Sequence, residues 1–134
     1  MLKAFLIYQI ARWKARFHNP MSECIFCKIA NNELPANVVY RDEQVTAFRD
    51  IHPAAPTHIL IVPNRHVDSV NALTVEDELL AGHLLTVAGR LARAEGIADM
   101  GYRLITNTGS HGGQTVFHLH IHLIGGQPMR HPMG

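Results

Sequence analysis

The sequence predicts an α+β domain, in which helices pack against an antiparallel sheet. Three observations lead there: apolar β-type runs come in blocks joined by hairpin-length links, one long amphipathic stretch separates the blocks, and a short helical stretch precedes them. At 134 residues the chain is bounded to one domain of ordinary size. Its composition, 47% apolar and 17% charged, supplies a core and lacks the charge excess of a disordered chain. A formal net charge of +1 excludes a general nucleic-acid binder, which needs a concentrated basic surface.

Residues 23–31 (ECIFCKIAN) read as a short helix, ended by Asn31-Asn32 and the Leu34-Pro35 break. Strand-type runs follow at Val38–Tyr40, Val45–Phe48 and His58–Val62, the last closed by Pro63. Thr74-Val-Glu-Asp77 fits a capping box that opens a long helix, and Leu80, Leu84, Val87 and Leu91 make its apolar stripe before Gly96 stops it. Tyr102–Thr106 reads as a strand, residues 107–114 (NTGSHGGQ) as a glycine-rich loop, and Thr115–Ile124 as the last of five strands. The order is α-β-β-β-α-β-β.

Residues 1–20 stand apart. Lys3, Arg12, Lys14 and Arg16 are unopposed by any acid, while Leu2, Leu6, Ile10, Trp13 and Phe17 recur at helical spacing. No apolar run approaches the roughly 20 residues that span a bilayer. An organelle-targeting segment, a surface-binding helix and an extension upstream of a start at Met21 all fit, and the extension is the preferred reading because the interpretable pattern begins just after Met21. The working domain is therefore placed at 21–134, in a cytoplasmic setting.

Cys24-Ile-Phe-Cys27 is too small a cysteine set to staple a secreted fold and suits a reducing compartment. A redox dithiol, half of a tetrahedral zinc site, and two small residues facing the core all remain open for the pair alone.

The last strand carries the chemistry. Side chains alternate along a strand, so His118, His120 and His122 share one face while Phe117, Leu119, Ile121 and Leu123 share the other. A row of imidazoles is hard to justify by packing, because each buried ring must find hydrogen-bond partners. Two chemistries compete: a tri-histidine metal site with an open position for water, and nucleophilic attack by one imidazole with its neighbours stabilising phosphoryl charge. The preceding loop, with its glycines, backbone N–H groups and small hydroxyls, is suited to an anion and favours the second. The isolated histidines His18, His52, His83 and His111 read as surface residues.

Gly113-Gln-Thr-Val-Phe-His118-Leu-His120-Ile-His122-Leu-Ile resembles the alternating His-apolar signature of the histidine triad (HIT) superfamily. The resemblance extends to Ile25–Ile29, Phe48–Ile51 and Ala55–Pro63, and covers residues 22–134. The tail Gly125–Pro132 is similar to the Hint branch of purine nucleoside phosphoramidases more than to the dinucleotide hydrolases or uridylyltransferases of the superfamily. The resemblance implies a HIT-like fold: a five-stranded antiparallel sheet, a short N-terminal and a long central helix, and sheets joined edge to edge across a homodimer that binds purine nucleotides. It implies that His120 attacks the α-phosphorus to give a covalent nucleotidyl-histidine and that His122 donates to a phosphate oxygen. Asn107, Gly113, Gln114 and Thr115 would hold the phosphate, Asp50 the ribose, and Phe26, Ile29, Phe48 and Ile51 the base, with His58 behind the triad fixing a tautomer. Hydrolysis of the P–N bond of adenosine 5′-phosphoramidate and of AMP-amine conjugates is the implied activity. A dinucleoside polyphosphate hydrolase or nucleotidyltransferase of the same superfamily, or a nucleotide-binding adaptor, is the alternative. No cofactor is needed for that chemistry, but zinc-containing members pair a CxxC with two histidines, which implies a structural zinc on Cys24, Cys27, His66 and His118. Two positions depart from the Hint pattern: Thr115 stands where Ser is usual, and His131 where a Trp often lies.

Overall fold

A computed structural model describes residues 23–131, so the amphipathic segment at 1–20 lies outside the described residues. Helix α1 (Ile25–Ala30) is followed by β1 (Val38–Arg41), β2 (Val45–Arg49) and β3 (Thr57–Pro63). After two 3-10 turns come the long helix α2 (Glu78–Ala94), β4 (Tyr102–Ile105) and β5 (Ile121–Gly125). The five strands form one antiparallel sheet in the order β1-β2-β3-β5-β4. The predicted α+β class, five strands and element order are all present.

β3 is the central strand and is buried along its whole length. Its two faces serve different layers, which explains the unbroken apolar run. Ile59 and Ile61 join Val45, Ala47, Leu119, Ile121 and Leu123 beneath Leu84, Val87, Ala88 and Leu91 of α2. Leu60 and Val62 face the other way, against Phe26, Ile29 and Phe48 of the α1 layer. Arg41 donates to the carbonyls of Ala30 and Ile29 and so closes the C-terminus of α1. The Arg49–Glu95 ion pair ties β2 to the residue after α2.

Four expectations need correction. The capping-box bond from the Thr74 N–H to the Asp77 carboxylate is present at 2.9 Å, but it closes a 3-10 turn, and α2 proper starts at Glu78. The final strand is shorter than the predicted Thr115–Ile124. Its ladder to β3 begins at Ile121 opposite Ile61, because Pro63 has no N–H to extend it and the Leu119 N–H turns instead to the Val67 carbonyl at 2.6 Å. Phe117 is half-buried and outside the α2 core that takes Leu119 and Leu123. His83, expected at the surface, is half-buried with Nε2 2.6 Å from the Asp42 carboxylate, linking α2 to the β1–β2 hairpin.

Candidate active site

The alternation of His118, His120 and His122 survives the early end of the ladder, since Leu119, Ile121 and Leu123 stay in the α2 core. On the opposite face Phe26 meets the rings of His118 and His120 edge-on, with centroids 6.0 and 5.1 Å away. The His120 and His122 centroids are 5.0 Å apart. His58, two residues before Leu60, is a diagonal cross-strand neighbour of His122, which pairs with Leu60 in the register.

Partners dictate where the protons sit on these four imidazoles. His120 Nδ1 lies 2.7 Å from the His118 carbonyl, an acceptor only, so Nδ1 carries the proton and Nε2 keeps a free lone pair. His118 donates Nε2–H to the Pro63 carbonyl at 2.7 Å, which leaves its Nδ1 lone pair toward the sulfurs of Cys24 and Cys27 at 3.4 and 3.5 Å. The Ala54 N–H donates to His58 Nδ1 at 3.0 Å, so His58 donates from Nε2 to His122 Nδ1 at 2.8 Å. His122 must then hold its own proton on Nε2. Asp50 Oδ2 stands 3.4 Å from His58 Nε2, while its Oδ1 accepts the His52 N–H. This directed chain explains why Asp50, His58 and His122 lie close enough to resemble a ligand set.

His66 donates Nε2–H to the Asp68 carboxylate at 2.7 Å and turns its Nδ1 lone pair to Cys27 Sγ at 3.2 Å. The donor atoms of Cys24, Cys27, His66 and His118 all lie within 4.8 Å of one another. A tetrahedral ion with bonds of about 2.0–2.3 Å needs ligand-to-ligand edges of about 3.5 Å, close to the distances found. Burial, with Cys24 beside it, pushes the Cys27 thiol up to about 12, and burial holds His118 down to about 4. Two sulfurs and two imidazole lone pairs turned inward therefore form a set that can hold a metal ion, with the second-neighbour oxygens that such imidazoles require. The tri-histidine metal reading is overturned: His118 turns to the thiols, His120 to Phe26 and His122, and the three do not converge.

The glycine-rich loop differs from expectation in what it offers. The Gly113 N–H is spent on the Ser110 carbonyl, the Gln114 N–H on Gly109, and the Gly109 N–H on Gln114 Oε1. Gln114 is buried, and its Nε2 donates to the Asp68 and Val116 carbonyls at 2.7 and 3.1 Å. Its amide thus braces the loop and is not turned to a ligand. Thr115 is exposed and Asn107 half-buried, and both lie on the loop leading to the triad. Gly109 and Gly113 occupy the left-handed region at φ 71° and 81°, which favours glycine. A Cβ on Gly112 would collide with the Thr108 backbone, standing only 3.0 Å from its nitrogen even after the nearer carbonyl contact is set aside. Gly112→Ala should therefore shift the loop, lower stability by about 1–3 kcal/mol and slow turnover, as thermal melting and steady-state rates on the same sample will read.

Of the expected base wall, Phe26, Ile29 and Phe48 are buried together, with the Phe26 and Phe48 rings 5.4 Å apart, whereas Ile51 is 86% exposed. Asp68 went unnoticed in the sequence, since an acid two residues from a histidine carries no distinguishing signal.

Burial lowers His120 and His58 below the ordinary imidazole range. It lowers His122 to about 4, with His120 and His58 adding to the effect and Asp50 opposing it. The relay is therefore neutral well into the acidic range. Unfolded imidazoles, at about 6.5, take up protons that these folded rings refuse, so stability is full above that value and is lost as pH falls from about 6.5 toward 4. Chemical denaturation at a series of pH values will show the loss, and a stability that rises on acidification through this window contradicts it.

A five-stranded antiparallel sheet between two helix layers, with alternating histidines leading into its fourth-positioned strand, is the histidine triad architecture. The HIT domain profile matches residues 31–129, and the chain belongs to the HIT family. Among curated relatives it is 55% identical over 107 residues to the purine nucleoside phosphoramidase of Escherichia coli (strain K12), covering 80% of this chain and 90% of that protein. Among solved structures it is similar to a HIT family hydrolase from Legionella pneumophila Philadelphia 1, at TM-score 0.81 and 50% identity, covering 83% of this chain and 99% of that one. A HIT family hydrolase from Clostridium thermocellum matches at TM-score 0.80 and 46% identity, covering 82% and 96%.

Proposed function

We propose that this chain is a purine nucleoside phosphoramidase that hydrolyses the P–N bond of adenosine 5′-phosphoramidate and of AMP-amine conjugates. One observation carries the mechanism: His120 Nδ1 is pinned by the His118 carbonyl, which leaves the Nε2 lone pair free beside His122. The 55% identity to a purine nucleoside phosphoramidase supports the substrate class.

In the first step His120 Nε2 bonds to the α-phosphorus while the P–N bond to the amine breaks, and the amine leaves with a proton taken from solvent. A neutral nucleophile meets no charge repulsion from the phosphate, and the cationic phosphoimidazole it forms is a good leaving group. Water then attacks phosphorus, the P–Nε2 bond breaks, AMP departs, and the water's spare proton returns to solvent. His122 donates its Nε2–H to a non-bridging oxygen, held in that tautomer by His58. His118 fixes His120 through its carbonyl and does not touch the phosphate.

Thr115 and Asn107 contact the phosphate and the leaving group, with Gly113 giving the loop its turn. Asp50 takes the ribose, while Phe26, Ile29 and Phe48 with Ile51 at the rim flank the base. The Cys24, Cys27, His66 and His118 set would hold zinc, which when bound stabilises the fold as a closed tetrahedral ion without an open position for substrate. Two copies pair along β4, a sheet-edge strand beside the exposed Met100 and Tyr102. The two free thiols favour a reducing, cytoplasmic setting, and among the described residues no helix is long and apolar enough to cross a membrane.

Incubation with adenosine 5′-phosphoramidate should release AMP, and rapid quenching should trap a nucleotide-mass adduct on His120. AMP release faster from diadenosine polyphosphates than from the phosphoramidate would reassign the substrate class.

Because His120, His122 and His58 stay neutral below the usual imidazole range, kcat/KM should be level across neutral pH and fall only well below the ordinary value of about 6.5, where the folded rings take up protons. An acidic limb above pH 7 in the rate profile contradicts this.

A further inference from the structure

The Cys/His cluster and the catalytic row share more than a strand. One route between them runs through His118, whose ring belongs to the cluster and whose carbonyl holds His120 Nδ1. A second begins at His66, whose Nε2–H binds the Asp68 carboxylate. The Asp68 carbonyl accepts from Gln114 Nε2 at 2.7 Å, and Gln114 Oε1 in turn accepts the Gly109 N–H at 3.0 Å. Between the two routes the Leu119 N–H binds the Val67 carbonyl, clamping residues 66–68 to the segment that carries the triad. Gln114 is buried 46 residues along the chain from Asp68, so this contact exists only in the folded protein. The hydrogen bonds of both routes join buried or half-buried groups and are linked through the backbones of His118 and Asp68, the condition under which a displaced partner is costly.

We infer that Asp68 and Gln114 are positioning residues that transmit metal occupancy of the Cys24, Cys27, His66 and His118 cluster to the 109–114 loop and to His120, so that metal loading sets catalytic rate. Without the ion, the buried thiols and imidazoles lose their common partner, and His66 and His118 are each held through one ring nitrogen alone, by the Asp68 carboxylate and the Pro63 carbonyl. Turning His66 releases the Asp68 carboxylate, and turning His118 breaks its bond to the Pro63 carbonyl, which loosens the two backbones whose carbonyls hold Gln114 and His120. Phe26 and Phe48 share one apolar cluster with Cys24 and Cys27, but Ile29, Leu60 and Val62, which are not metal ligands, belong to it as well, so binding is expected to change less than rate. The inference rests on the phosphoramidase reading only for its rate measurement.

The test uses the full chain loaded with Zn²⁺ and then treated with a chelator at constant pH. Four quantities are read: circular dichroism, amide hydrogen exchange at Gly109 and Gln114, the ¹⁵N imidazole signals of His120, and kcat and KM on adenosine 5′-phosphoramidate. The loaded protein should show protected Gly109 and Gln114 amides and a single His120 tautomer with the proton on Nδ1. Chelation should leave the circular dichroism unchanged, speed both amides roughly tenfold, mix the His120 tautomers, and lower kcat roughly tenfold with KM within about twofold, as loss of one or two hydrogen bonds predicts. Zn²⁺ should restore all four.

Gln114→Ala should speed the Gly109 amide even in the loaded protein and make its exchange indifferent to chelation, whereas Asp68→Asn, which keeps the carbonyl, should weaken Zn²⁺ binding roughly 10–100-fold yet recover loop protection at saturating Zn²⁺. Exchange and tautomer signals that ignore chelation overturn the inference, as do failure to bind Zn²⁺ and global unfolding on its removal, since the last would make the cluster a staple and not a positioning device. Absence of AMP release by the loaded protein would instead remove the phosphoramidase reading and leave the exchange and tautomer measurements to judge the coupling.

Discussion

Replacing His120 with asparagine lowers kcat for AMP release by roughly 10⁴ to 10⁶-fold, the range seen when a covalent nucleophile is removed. The residue is 6% exposed, its Nδ1 is bound to the His118 carbonyl, and its ring lies edge-on to Phe26. Such a ring has one free nitrogen and one orientation, which is what attack on phosphorus requires. Asparagine can still donate to the His118 carbonyl, so the local backbone is expected to survive with a stability loss of about 1–2 kcal/mol from the smaller side chain. Nucleotide affinity by titration should remain within a fewfold of the parent, because base and phosphate contacts belong to other residues. Single-turnover kinetics and mass spectrometry of the quenched protein check the outcome together: the rate collapses and the nucleotide adduct disappears. An adduct that persists in the variant moves the nucleophile to another residue.

Replacing His122 with alanine should lower kcat roughly 10² to 10³-fold with little change in KM, the cost of removing one preorganised donor to developing charge. The tautomer argument makes this specific. The His58 Nε2–H occupies His122 Nδ1 at 2.8 Å, and the Ala54 N–H holds His58 in that form at 3.0 Å, so His122 presents Nε2–H without any rearrangement. The donor is neutral, since burial and the flanking imidazoles hold His122 at about 4. The nucleotidyl-His120 adduct should still form in this variant, more slowly, which separates it from the His120 replacement in the same quenched-sample measurement. Loss of the adduct altogether, or a rise in KM with kcat intact, contradicts the donor role.

Much of this was legible residue by residue. The α+β class followed from strand runs in blocks, and the α2 stripe of Leu84, Val87 and Leu91 followed from helical periodicity, because local patterns report which side of an element is apolar. The alternation around His118 to His122 also held, although the ladder stops at Ile121, since extended backbone alternates its side chains whether or not a neighbour pairs with it. The shortened strand itself was not legible: it depends on Pro63 lying opposite in the sheet, 56 residues away from Leu119 in sequence by numbering, and on the Val67 carbonyl capturing the Leu119 N–H. Gln114 looked like part of an anion cradle because loop composition cannot say which amides are already bonded within the protein. His83 looked like a surface residue because its partner, Asp42, is 41 positions distant.

Covalent order was enough to place three imidazoles on one face, two thiols a helical turn apart and a glycine loop before the triad, since spacing and side-chain chemistry are properties of the chain alone. Folding assigned the protons. His120 keeps a free Nε2 only because His118 turns its carbonyl inward, His122 keeps its Nε2–H only because β3 delivers His58 to its other nitrogen, and the thiols meet His66 only because the turn after β3 passes over α1. Hydrogen bonds between residues distant in sequence set those tautomers, and no local pattern encodes a partner that the fold has yet to bring near.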